Sequence, residues 1–166
     1  MPPLKSLLNF LDNSKIKYGI LEHRTVYTAM DKARTLHLEP KMVVKTAVVK
    51  MDRDYTVVLI PADKNLDKNK LKAAVNQWRK KKGERAVKKI DFAKEVWMKK
   101  NLSGKVGAAP PFGHFFKLTA FVDNSLLRQP KLIVNAGDYN FSLGLTKSSF
   151  EKALKESIKG GFSKAK

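Results

Sequence analysis

The sequence predicts one mixed α/β domain, and three observations lead there. Two β-branched runs, "MVVKTAVVKM" and "YTVVLIPA", flank "DRD" as the strands of a hairpin flank their turn. Stretches with apolar residues three and four apart lie before and after them, as amphipathic helices require. The 166 residues contain no internal repeat and no linker, so strands and helices belong to one unit spanning 1–166.

The elements follow in order. Leu4, Leu7, Leu8 and Leu11 recur at helical spacing with Ser6, Asn9 and Asp12 between them, which predicts an N-terminal helix within residues 1–14. "YGILEH" reads as a short strand. Thr28 can cap a helix that begins at Ala29, carries Asp31 in its first turn and stops before Pro40. The hairpin comes next. "DKNKLKAAVNQWRKKK" is a helix with Leu71, Ala74, Val75 and Trp78 on one face, and "FAKEVWMKK" is a second, shorter one. "FKLTAFVD" and "KLIVNAG" are two strands expected to pair with each other. "YNFSLGL" is a further strand and "KSSFEKALKES" the last helix, with 160–166 as a flexible basic tail.

Composition narrows the function. Lys+Arg number 34 against 15 Asp+Glu, a formal net charge of +19, and such an excess attracts polyanions, nucleic acid first among them. Residues 79–105 hold eleven Lys/Arg and three acids. Arg79, Lys80, Lys81, Lys82 and Lys105 are the candidate phosphate-backbone contacts there, the alternative being a solvated helix face. No apolar run is long enough to span a bilayer, and "MPPLKSLLNFLDNSK" is too polar for a signal peptide, so a cytoplasmic protein without a membrane partner is expected. The absence of cysteine excludes disulfides, thiolate chemistry and cysteine-held zinc. His23, His37 and His114 are too scattered for a zinc pair, and no phosphate-loop, dinucleotide or nucleophile-elbow pattern occurs. The expectation is no cofactor and no metal.

Two places remain for chemistry. In "MVVKTAVVK", strand alternation puts Val44 and Thr46 on one face and Val43, Lys45 and Ala47 on the other. Lys45 either lies on a solvated face or carries its ammonium to a phosphate or carbonyl in a pocket. In "GAAPPFGH", Gly107 opens a bend that Pro110 and Pro111 stiffen, while Ala108 and Ala109 barely cover their amides. Gly113 closes it and His114 follows. Such a bend is either a structural turn or a rigid set of N–H donors for a carbonyl and its tetrahedral adduct.

Four blocks, "VYTAMDKARTLHLEPKMVVKTAVVK", "YTVVLIPADKNLDKNKL", "GAAPPFGHFFKLTAFVD" and "IVNAGDYNFSLGLTKSSFEKAL", occur in an order and spacing that resembles the YbaK/prolyl-tRNA synthetase-associated editing-domain family. The resemblance implies a curved, barrel-like mixed sheet flanked by helices. It implies a trans-editing deacylase that hydrolyses the ester of mischarged aminoacyl-tRNA without a metal, the terminal ribose hydroxyl helping to activate water. Lys45 falls on the family's site lysine, and Gly107, Ala108, Ala109, Pro110 and Pro111 fall on the loop whose amides hold the aminoacyl carbonyl. The implied substrate-binding positions are His23, Tyr27, Thr46, Gly113, His114, Gly137, Asp138 and Ser142, although alternation turns Thr46 away from Lys45. The implied partners are the acceptor end of an aminoacyl-tRNA and an aminoacyl-tRNA synthetase. Two positions depart from the cysteine-editing branch: Leu21 stands where a tyrosine precedes "EH", and Ser142 where an aspartate lies in the late strand. The alternative is an RNA-binding module that keeps the fold without turnover.

Overall fold

The computed structural model describes residues 4–166. Its elements are α1 (Lys5–Asn13), β1 (Gly19–Glu22), α2 (Ala29–Thr35), β2 (Val44–Met51), β3 (Asp54–Pro61), β4 (Lys64–Leu66), α3 (Lys68–Lys81) and β5 (Ile90–Phe92). Then come α4 (Glu95–Asn101), β6 (Thr119–Asp123), β7 (Lys131–Asn135), β8 (Phe141–Thr146), α5 (Lys147–Leu154), β9 (Ile158–Gly160) and β10 (Ser163–Ala165). Side-chain caps start three of the helices. The Thr28 hydroxyl accepts from the Asp31 N–H, Asp67 accepts from Asn69 and Lys70 N–H, and Thr146 accepts from Ser149 N–H. Arg79, Lys80 and Lys81 close α3, where cations offset the negative end of the helix dipole.

The strands form a five-stranded sheet in the order β5-β2-β3-β6-β9, a three-stranded sheet β1-β8-β7, and a two-stranded ladder β10-β4. β6 runs parallel to both β3 and β9, and the other ladders are antiparallel. One parallel bridge, Val43 to Ile133, joins the two larger sheets. The mixed α/β class holds, but the sheet is not a closed barrel: it is divided into these ladders. The expected pairing of "FKLTAFVD" with "KLIVNAG" does not occur. The turn Asn124–Arg128 and Pro130 separate them, and β6 enters the larger sheet while β7 pairs with β8 in the other. β6 runs from Ala120 to Asp123 in buried positions, which a flanked central strand needs and a hairpin edge does not.

Apolar side chains fill both sides of the larger sheet. Leu7 and Leu11 of α1, Val44 and Leu59 of the β2–β3 hairpin, Leu132 and Val134 of β7, and Phe150 of α5 share one cluster between the sheets. Val49, Met51, Val58 and Ile60 share another with Leu71 and Val75 of α3. The 160–166 tail is the second correction, because it is anchored. Phe162 is fully buried in the α3 cluster, its N–H donates to the Asp123 carboxylate (2.7 Å), and its carbonyl accepts from Asp67 N–H (2.8 Å). β10 then pairs with β4. A lone aromatic in a lysine-rich tail gives no periodic signal, so the sequence hides the anchor.

Phe162→Ala is therefore expected to lower the unfolding free energy in urea by about 3–5 kcal/mol, as for other buried phenylalanines. A loss below about 1 kcal/mol would show the tail to be as free as its composition predicts.

Candidate active site

The bend Gly107–Pro111 is stitched to the segment after β7. Gly137 N–H donates to Ala108 O (2.9 Å), Lys105 N–H donates to Gly137 O (3.0 Å), and the Tyr139 hydroxyl donates to Val106 O. Gly107 has φ +85°, a conformation that disfavours other residues, and a Cβ there would press on Tyr27 O at 3.3 Å. Ala108, Pro110 and Pro111 are buried, Gly107 is exposed and Ala109 half-buried. The donors sort the same way. Ala108 N–H is engaged by Lys105 O (3.0 Å), and the prolines have none. Among the described residues no hydrogen bond engages the N–H of Gly107 or of Ala109. The two reachable residues of the bend are thus the two with free donors.

What fixes the bend from behind is a pair that sequence reading missed. Asn135, the last residue of β7, donates through Nδ2 to Ala109 O (3.2 Å), and its Oδ1 accepts from the ammonium of Lys32. A carbonyl oxygen offers only lone pairs, so Ala109 O fixes which way the carboxamide points. Lys32 comes from α2, is 4% exposed and has no counter-charge among the described residues to offset its burial, which pushes it down to about 7. Lys32 precedes Ala33, which is itself buried, so α2 turns both inward against Ile133 and Val43.

Lys45 shares a sheet face with Asn135. Val43 and Ile133 bridge in parallel, so the next same-face positions are Lys45 on β2 and Asn135 on β7. Packing confirms the alternation, with Val44 in the cluster between the sheets and Val43 in the cluster under α2. The half-buried Lys45 ammonium donates to Lys64 O and opens into a cavity of about 730 Å³ with Ala47, Ile60 and Leu66 in its lining. Burial holds Lys45 below the usual lysine range, with the Lys166 ammonium adding to the effect and Asp63 opposing it. No residue of the bend lines that cavity.

The other sequence-predicted positions divide. His23 and Ser142 lie together: His23 Nδ1 faces Arg24 O (2.8 Å), which places the proton there, and Nε2 meets Ser142 Oγ at 2.9 Å. Ser142 is cross-strand neighbour to Asn135 and to Leu21, so this pair borders the Lys32 cluster. Tyr27 is exposed and packs edge-on against Tyr139. Asp138 is buried and its carboxylate meets Lys105 (3.3 Å) and Asn140 N–H (3.1 Å), so both Asp138 and Lys105 brace the bend's flank. Gly137 sits beneath the bend. Thr46 points away from Lys45, its hydroxyl buried without a partner among the described residues. His114 lies elsewhere, against Phe10 and in a cavity with Trp78 and Lys82, while Gly113 is buried in the turn before it. Arg79 is bound to Asp54 and to Arg85 O, whereas Lys80, Lys81 and Lys82 are exposed at the end of α3.

Lys32 makes a pH prediction. Its folded pKa is about 7 against an ordinary 10.5. Between those values the unfolded chain holds the extra proton, so stability rises with pH across that window. Lys32→Met should flatten the rise when urea midpoints are measured from about pH 6.5 to 9.5. An unchanged slope in the variant would show that burial does not lower the Lys32 pKa.

No curated protein matches this chain. Solved structures do. One is a hypothetical protein at 19% identity and TM-score 0.78, covering 96% of this chain and 100% of that one. A scaffold protein used for epitope grafting aligns at 19% identity and TM-score 0.74, covering 98% and 97%. A candidate trans-editing enzyme for prolyl tRNA synthetase aligns at 20% identity and TM-score 0.73, covering 97% and 96%. At such identities these likenesses establish the fold. The family model of the aminoacyl-tRNA editing domain matches residues 23–153, which takes in α2, the Lys45 strand, the bend and Asn135. The chain belongs to the aminoacyl-tRNA editing domain family.

Proposed function

We propose that this protein hydrolyses the ester of mischarged aminoacyl-tRNA in trans, without a metal and with help from the substrate. The observation that carries the reading is the bend, whose unengaged donors, Gly107 N–H and Ala109 N–H, belong to its two least buried residues. In the reaction, water oxygen attacks the ester carbonyl carbon and the negative charge moves to the carbonyl oxygen. Donors already aimed at that oxygen stabilise the adduct without reorganising. The bond to the ribose oxygen then breaks, the ribose oxygen takes a proton, and the products are free amino acid and tRNA with its hydroxyl restored. The neighbouring ribose hydroxyl orients the attacking water.

Lys45 anchors the terminal nucleotide by a charge-assisted hydrogen bond. Its half-buried position strengthens that bond relative to one in open water. Asn135 and Lys32 hold the Ala109 carbonyl and so keep the adjoining amide aimed. The net charge of +19 draws in the polyanionic substrate, and the exposed Lys80, Lys81 and Lys82 at the end of α3 are placed for its backbone. A cytoplasmic setting and an aminoacyl-tRNA synthetase companion complete the proposal.

The test is ester loss from a panel of aminoacyl-tRNAs. Wild type should deacylate at least one of them, and Lys45→Ala should lower the rate about 100-fold, a loss in the range for deleting a site donor. Gly107→Val should lower kcat about 100-fold and leave tRNA affinity within about threefold, because it strains the bend at φ +85° and not the RNA surface. Salt-sensitive tRNA binding with no hydrolysis of any ester would favour the binding module instead. Equal losses in kcat and affinity for the glycine variant would contradict the role of the bend.

A further inference from the structure

The family match stops at residue 153, yet the chain goes on to build one wall of the cavity that Lys45 opens into. β9 extends the five-stranded sheet along β6, and Phe162 anchors the turn that follows. β10 then pairs with β4, with Ala165 opposite Lys64, the residue whose carbonyl receives the Lys45 ammonium. Lys70 Nζ adds a bond to Ser163 O (3.1 Å). This ladder carries Lys164 into the cavity lining and brings Lys166 close enough to bear on Lys45 electrostatically.

Three ammonium groups, Lys45, Lys68 and Lys164, thus surround a floor of Ala47, Ile60 and Leu66. The single carboxylate in the lining, Asp67, is engaged by the Asn69 and Lys70 N–H groups. Like charges gathered over apolar surface repel one another, and an anion is what relieves that. At the rim Phe92 is 54% exposed, with Lys68 Nζ 5.0 Å from its ring centre. An exposed aromatic ring with a lysine over one face leaves its other face to stack a base while the ammonium neutralises the phosphate. The volume, about 730 Å³, is ample for a nucleotide.

We propose that this cavity, completed by the C-terminal strand, binds the single-stranded 3′ end of the tRNA. A base stacks on Phe92, phosphates pair with Lys164 and Lys68, and the chain end runs inward past Lys45 toward the bend. The proposal rests on the editing reading for its choice of RNA. A free mononucleotide offers the same base and phosphate, and the experiment separates the two sources.

A fluorescent single-stranded RNA hexamer ending in CCA is titrated with the full chain at about 50 mM salt, and the titration is repeated at higher salt. Lys68→Glu/Lys164→Glu should weaken binding about tenfold or more. It should also make the salt slope shallower by about 1.4, the loss of two single-strand phosphate contacts. The matched control Lys131→Glu/Lys147→Glu, placed on β7 and α5, should change the affinity less than about threefold, and Phe92→Ala should weaken it about fivefold or more with little change in salt slope. Thermal unfolding of each variant shows that the fold is kept. Equal weakening by the two charge reversals would overturn the site in favour of bulk attraction. Displacement of the hexamer by AMP as effectively as by unlabelled hexamer would overturn the RNA end as ligand. Ester hydrolysis is scored separately: tail-dependent RNA binding with no hydrolysis leaves the cavity standing and removes only the catalytic reading.

Discussion

The side-chain amide of Asn135 is the joint on which the site depends. It receives a lysine head from α2 on one atom and holds the Ala109 carbonyl with the other. Removing either partner would strand a buried polar group, and such groups cost more unpaired than they contribute when paired. The arrangement therefore has one low-energy form, with the bend's backbone fixed relative to the end of β7. A buried ammonium without a carboxylate is destabilising by itself, and burial depresses its pKa accordingly. Its retention beside the bend is consistent with a site that keeps strain where geometry matters.

Division of the sheet supplies the space. A closed barrel would bring β7 fully alongside β2. Here the strands bridge only at Val43 and Ile133, and Lys45 and Asn135 are the next same-face positions. Asn135 holds the bend, and Lys45 reaches the cavity beside β4 and β10. Positive charge is then a property of position as well as amount. Lys105 and Arg79 are tied to carboxylates, while Lys45, Lys68 and Lys164 face a common space.

Local signals in the sequence were enough for the larger elements. The β-branched runs gave β2 and β3, and Thr28 and Asp67 mark the starts of α2 and α3. Alternation alone put Lys45 opposite to Thr46, and the packing of Val43 and Val44 agrees. The stiffness of the bend was legible from its glycine and prolines, whereas which of its amides stay free was not. That depends on Lys105 and Gly137 as partners. β4, β5, β9 and β10 are three residues each, too short for any period to show. Lys32 was invisible for a different reason. Lysine is among the residues least often buried, and its partner Asn135 is remote in sequence. The tail misled because composition reports solvation, and a single phenylalanine among lysines and glycines carries the packing.

The central claim is that the free amides of the bend receive the aminoacyl carbonyl. The most direct measurement is an amide ¹⁵N–¹H NMR titration with an aminoacyl-adenosine whose ester is replaced by a stable amide. The account predicts that the Gly107 and Ala109 resonances move most and saturate together, with Ala108, already bonded to Lys105 O, moving less. Saturable binding that leaves Gly107 and Ala109 unmoved while shifting residues elsewhere would contradict it.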